Sequence, residues 1–172
     1  FHRRHFTSSD VFVVLAGNVG KTEQGVVERY FGNESWGDYN VSENNWTEPE
    51  KPEAKQEFIS KPDALQSAIR VGRVLFPKNH PDNIGMQVLT TILGGYFGSR
   101  LMANIREEKG YTYGIYSVMV PMKDSGYFVI GTETAVGYVD AVKEEIRKEI
   151  VLLQNELIPE DELNLVKQYI FG

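Results

Sequence analysis

Arg106 and Tyr113 stand seven residues apart in the run GGYFGSRLMANIREEKGYTYGIYS, residues 94–117. A Gly-Gly break divides two amphipathic segments. The second ends in the charged run Arg106-Glu107-Glu108-Lys109, and Gly110 then opens a Tyr-rich strand. The two side chains can converge only if the chain folds back between helix and strand. A guanidinium and a phenol aimed at one point suit the developing oxyanion of an acyl transfer, or a peptide carbonyl awaiting attack. The same residues also fit a plainer role, an arginine snorkelling at a helix end and a tyrosine packed in a sheet. Two more tyrosines flank the pair. By simple alternation Tyr111 and Tyr113 share a strand face and Tyr116 points the other way.

The elements that must position the pair are readable from periodicity. Residues 11–19, VFVVLAGNV, read as a buried strand, a short β-branched and aromatic run closed by Gly and Asn. A helix follows over 22–31, with Val26, Val27, Tyr30 and Phe31 on its apolar side. From 32 to 57 the sequence turns polar and reads as a linker or long surface loop. Its Trp36, Tyr39 and Trp46 either pin it to a partner surface or cover the core locally. The N-x-S/T triplets at Asn33, Asn40 and Asn45 read as chance in an Asn- and Ser-rich stretch. Strands are expected at 57–61 and 66–76, with Arg70 and Arg73 on opposite faces of the second.

Pro81 and Asp82 suit the start of a helix carrying Ile84, Val88, Leu89, Ile92 and Leu93, which Gly94 and Gly95 end. A second helix covers 98–108, with Leu101, Met102 and Ile105 inward and Gly110 as its C-terminal cap. A hairpin is expected from strands 111–122 and 126–135, joined at Lys123-Asp124-Ser125. Val139, Val142, Ile146, Ile150, Leu153 and Leu157 keep a helical period, and Pro159 starts a last helix. Hairpins and paired helices point to an α+β architecture, an antiparallel-dominated sheet with helices packed on one face.

Composition narrows the function classes. The 172 residues suffice for a domain with a substantial core, and 41% hydrophobic with 24% charged residues is ordinary for a globular chain. A net charge of −6 argues against nucleic acid as the main partner, because phosphate binding needs a basic surface. The only basic cluster, His2-Arg3-Arg4-His5, is too short to reverse that. No apolar run approaches the length of a membrane span. The absence of cysteine fits cytoplasm or periplasm alike, so the compartment stays open.

The run from Gly94 to Ser117 resembles the second-domain signature of the pitrilysin/insulinase (inverzincin) family of zinc metallopeptidases. The likeness extends through SDVFVVLAGNV, KPDALQSAIRVGRVLFPKNHPDNIGMQVLTTIL and SGYFVIGTETAVGYVDAVKEEIRKEI. The resemblance is to the non-zinc domain of a bacterial zinc protease similar to mitochondrial processing peptidase. It implies the processing-peptidase-like fold, here short of its final helices and closing strand. Residues 1–31 would be the terminal strand and helix of a preceding homologous unit, 32–54 a linker, and 55–172 an incomplete C-terminal peptidase-family domain. The 11–19 strand could then fill the sheet position left by the missing terminal strand, within one chain or by exchange between two.

The resemblance also implies a function. A zinc-bearing domain or partner subunit carries H-x-x-E-H, two imidazoles on one helical face with a glutamate that polarises water. The opposing non-zinc domain closes over it, binds the peptide substrate and supplies an Arg/Tyr pair. Arg106 and Tyr113 match that pair in identity and spacing, which implies Arg106 near the scissile peptide and Tyr113 at the oxyanion. Arg100 lies close in sequence but outside the pair. This chain's histidines, His2, His5 and His80, do not form the zinc motif, since HRRH lacks the glutamate and has the wrong spacing. No metal ligand or catalytic residue is therefore assigned here, no cofactor is expected on this chain, and no hydrolysis by it alone. Zinc belongs to another domain or a partner, with a homodimer among the possible arrangements. The alternative is a catalytically inactive structural or assembly subunit of the same fold.

Overall fold

Alternating apolar residues after Gly110 form the central hairpin, and a third strand completes an antiparallel sheet. In the computed structural model, which describes residues 6–9, 11–32, 34–37 and 53–172, the chain divides into two units, Phe1–Thr47 and Glu48–Gly172. The larger unit contains strands β1 (Gln66–Leu75), β2 (Thr112–Pro121) and β3 (Gly126–Ala135) in the order β1-β3-β2. Its helices are α2 (Asn83–Thr90), α3 (Met102–Glu108), α4 (Val139–Asn155) and α5 (Glu160–Phe171); the smaller unit holds α1 (Lys21–Val27). π-helical turns extend α1 over Glu28–Gly32 and α2 over Thr91–Gly95, and α3 is itself π-helical.

Alternation places Ile69, Ile115, Ser117, Met119, Ile130, Thr132 and Thr134 on the buried face of the sheet. Against it pack Leu93, Leu101, Ile105, Val142 and Ile146 from the helical side, forming one apolar cluster with Ile69, Ile115 and Ile130. Each such side chain taken fully out of water contributes about 1.5–3 kcal/mol. Arg70 and Arg73 fall on opposite faces as expected, since Arg70 faces Gly131 and Arg73 faces Phe128 in the register. The expected α+β architecture is therefore present, and the 126–135 strand, the Gly94–Gly95 helix stop and the Pro159 helix start fall where periodicity placed them.

Two expected strands are absent. Residues 11–19 form no strand. Their β-branched character fits a strand, but a strand exists only by exchanging hydrogen bonds with a neighbour. The smaller unit offers no second strand among its described residues. Residues 57–61 are likewise irregular, with Phe58 and Ile59 exposed. Within the smaller unit Trp36 is half-buried and tied to Ser8, whose N–H donates to the Trp36 carbonyl at 2.9 Å. The His2–His5 cluster, Tyr39, Trp46 and the Asn33, Asn40 and Asn45 triplets lie outside the described residues.

Polar contacts hold the helix before the Tyr-rich strand to its neighbours at both ends. At its start, Arg100 Nε and a terminal nitrogen donate to the two carboxylate oxygens of Glu162 on α5, at 2.8 and 2.6 Å. That hydrogen bonding raises the Arg100 pKa further above its ordinary value. Farther along, Asn104 Nδ2 donates to Glu149 at 2.6 Å and to Glu145 at 3.3 Å on α4, and Lys109 Nζ donates to Asn104 Oδ1 at 2.5 Å. Burial works against the Lys109 charge, yet Glu145 and Glu108 more than offset it and its pKa is raised.

Two consequences are measurable. Glu162→Ala strands a mostly buried guanidinium and should lower unfolding free energy by about 1–3 kcal/mol, read from urea midpoints; an unchanged midpoint would show the pair to be decorative. Glu145 has its pKa held below the ordinary 4.5, chiefly by the hydrogen bond from Lys148, with Asn104 and Lys109 adding. A depressed folded-state value gives stability that is complete above 4.5 and is lost as pH falls through the lowered value. Wild type should therefore lose more stability than Glu145→Gln between about pH 6 and about pH 3; parallel curves would contradict this.

Candidate functional site

The site is built by the reversal from α3 into β2. At the end of α3 the Lys109 N–H reaches the Asn104 carbonyl at 3.1 Å, a π-helical bond, and the Tyr111 N–H reaches the Ile105 carbonyl at 3.0 Å. Gly110 between them has φ +64°, the left-handed conformation that commonly closes a helix C-terminus. Ile105 is fully buried, so the helix end cannot slide. Arg106, the next residue, emerges in the last turn, where a cation also complements the helix dipole.

Strand β2 then carries a bulge. Thr112 pairs with Thr134 and Ile115 with Thr132, so Tyr113 and Gly114 together oppose the single residue Glu133. The extra residue shifts the alternation. Thr112, Ile115, Ser117 and Met119 are buried while Tyr113, Tyr116 and Val118 are exposed. Tyr113 and Tyr116 thus lie on the same open side, which corrects the simple alternation expected from sequence. Tyr111 precedes the strand rather than sharing its face.

Threonine hydroxyls pin the bulge. Thr112 Oγ1 donates to the Glu133 carbonyl at 2.6 Å and accepts from the Gly114 N–H at 3.2 Å. Thr132 Oγ1 donates to the Gly114 carbonyl at 2.9 Å, and Thr134 Oγ1 donates to the Tyr111 carbonyl at 2.6 Å. The Ile115 N–H meets Met102 Sδ of α3 at 3.5 Å. The N–H and carbonyl of Gly114, which the bulge takes out of the register, are thereby satisfied internally. Sequence reading missed these threonines; their signal is the spacing Thr132-x-Thr134, two hydroxyls on one strand face aimed at the core.

The three tyrosines separate by what they touch. Tyr111 is half-buried and stacks on Tyr138, with ring centroids 4.8 Å apart. Tyr116 lies across Gly131, where an added Cβ would stand 2.5 Å from the ring. Tyr113 is 93% exposed, and its hydroxyl makes no hydrogen bond among the described residues. Its ring lies beneath the Arg106 guanidinium, whose carbon is 5.8 Å from the Tyr113 centroid and 4.6 Å from that of Phe97. The Arg106 guanidinium makes no hydrogen bond among the described residues, and its ion pair with Glu107 is long, 3.8 Å. A guanidinium with available donors beside an exposed phenol can bind a carbonyl or an anionic oxygen.

Phe97 was not singled out from the sequence, and its place in a glycine-rich turn gave no periodic signal. Arg100, near the pair in sequence, is fully engaged with Glu162 and does not join it. His80 stacks on Phe76 at 4.1 Å and lies 3.8 Å from Asp82. Among the described residues no group of three or more His, Cys, Asp or Glu side chains could hold a metal ion. No helix among them is long and apolar enough to cross a membrane.

Comparison with known proteins agrees with this architecture. The family model described as "Peptidase M16 inactive domain" matches residues 1–170. The uncharacterized zinc protease YmxG of Bacillus subtilis is 28% identical over 169 residues, covering 98% of this chain and 40% of that protein. An uncharacterized zinc protease of Mycobacterium leprae is 27% identical over 178 residues, covering all of this chain and 39% of its own length. The chain thus spans about two fifths of these relatives.

Among solved structures, a peptidase M16 inactive domain from Pseudomonas fluorescens aligns with TM-score 0.59 and 29% identity, over 62% of this chain and 26% of that one. A protease from Helicobacter pylori aligns with TM-score 0.79 and 18% identity, over 90% and 38% respectively, a likeness of fold. Matched over nearly its whole length, the chain belongs to the peptidase M16 inactive-domain family, within the pitrilysin group of zinc-protease homologues that its sequence resembles.

Proposed function

We propose that this chain is the non-zinc half of a peptidase active site: it closes over a zinc-bearing domain, binds the peptide and presents Arg106 and Tyr113 to the scissile carbonyl. The observation that carries the reading is the pairing of an exposed, unbonded phenol with a guanidinium 5.8 Å from its ring centre, both on a braced helix-to-strand turn. The relatives' names as zinc proteases, and the two-fifths of their length that this chain spans, support a zinc-bearing remainder elsewhere. That remainder lies on the same chain or on a second one, including a second copy.

Each residue has a chemical task. The Arg106 N–H groups orient the peptide carbonyl, and the positive charge favours the oxygen as it gains negative charge. The Tyr113 hydroxyl donates to that oxygen. When present, the zinc-bearing domain supplies the activated water; this chain's residues bind and orient. A purely structural subunit has no use for an exposed tyrosine beside an arginine with free donors, which favours the peptide-binding reading over that alternative.

Tyr113→Phe removes one donor while keeping the ring over which Arg106 lies. In the full-length protein, assembled with its zinc-bearing domain, kcat for an internally quenched peptide should fall about 10²–10³-fold. Zinc content, measured by atomic absorption, should stay the same. Full activity in the variant would refute the assigned role.

A further inference from the structure

Arg106 is held differently from its neighbour Arg100. Arg100 gives two nitrogens to Glu162 at 2.8 and 2.6 Å, which fixes it but commits two of its donors and pairs its charge. Arg106 has no such partner among the described residues. Instead its guanidinium carbon lies 4.6 Å from the Phe97 ring centroid, closer than the 5.8 Å to Tyr113. An aromatic face attracts the cation through the ring quadrupole and leaves the in-plane N–H groups available.

The turn that carries Phe97 is built to hold it there. Gly94 packs against β2, where an added Cβ would stand 2.5 Å from the Ser117 nitrogen. Tyr96 turns to pack against Tyr169 of α5, its ring tilted 34° to that ring with centroids 5.1 Å apart, and its carbonyl accepts from the Ser99 N–H at 3.2 Å. A Cβ on Gly98 would stand 3.0 Å from the Tyr96 ring. With residues on both sides seated, Phe97 remains 63% exposed, too open for burial to explain a large apolar side chain.

We infer that Phe97 is a positioning residue for Arg106, its ring face holding the guanidinium beside Tyr113 while the N–H donors stay free for a ligand oxygen. This rests on the reading that Arg106 engages the peptide carbonyl. Phe97→Leu keeps apolar bulk and deletes the π face; Phe97→Trp keeps the face. In the full-length protein, the Arg106 Nε–Hε NMR resonance, assigned by its loss in Arg106→Met, should be ring-current shifted in wild type and Phe97→Trp. It should move to an ordinary position in Phe97→Leu.

With the internally quenched peptide, Phe97→Leu should lower kcat about two- to fivefold with a smaller change in KM. Phe97→Trp should restore the rate, and Phe97→Leu added to Arg106→Met should cost nothing more. A resonance unmoved by Phe97→Leu overturns the contact. A wild-type rate in Phe97→Leu while Tyr113→Phe is slow overturns the positioning role and leaves the peptide reading standing. Wild-type rates in Tyr113→Phe as well would take down the peptide reading, and the role of Phe97 with it.

Discussion

The structure around the pair depends on one constraint: a helix must become a strand within three residues while its last turn stays fixed. Gly110 makes this possible. At φ +64° any other L-residue would cost about 1–2 kcal/mol, and the reversal lets the Tyr111 N–H satisfy the otherwise orphaned Ile105 carbonyl. Because Ile105 is buried against the sheet, the turn cannot shift along the helix axis without opening the core. Arg106 follows Ile105 directly, and Tyr113 lies three residues beyond Gly110. Their proximity is a consequence of that closure.

The same turn couples stability to the site. Leu101 and Ile105 seat α3 in the apolar cluster, while Arg100 ties its beginning to α5 and Asn104 and Lys109 tie its end to α4. On the strand side the bulge would leave backbone groups without partners, and the hydroxyls of Thr112, Thr132 and Thr134 take them up. A bulge supported this way is rigid, so the exposed Tyr113 is aimed by buried groups. The division is physical: the buried face of β2 fixes the geometry, and the open face presents the phenol.

Much of the fold was legible because its signals are local. The Gly94–Gly95 stop, the Gly110 cap, the Lys123-Asp124-Ser125 turn and the long apolar period of α4 all depend on neighbours within a few residues. The Arg106/Tyr113 pairing was legible through spacing and resemblance together. The bulge was not, because nothing between Thr112 and Ile115 reveals that β3 opposes two residues with one; that depends on hydroxyls twenty residues away. This is why alternation put Tyr116 on the wrong side. The strand expected at 11–19 failed for a related reason, since β-branched composition makes pairing favourable but does not supply a partner strand. Phe97 escaped notice because its role is a contact across a turn, with no period to mark it.

The central claim is that Arg106 and Tyr113 address one oxygen atom. The most direct measurement is a crystal structure of the full-length protein, assembled with its zinc-bearing domain and holding an uncleaved peptide. The account predicts a guanidinium N–H of Arg106 and the Tyr113 hydroxyl both within about 2.6–3.2 Å of the same peptide carbonyl oxygen. A peptide seated with that carbonyl beyond reach of both groups, or with the two bound to different parts of it, would contradict the account.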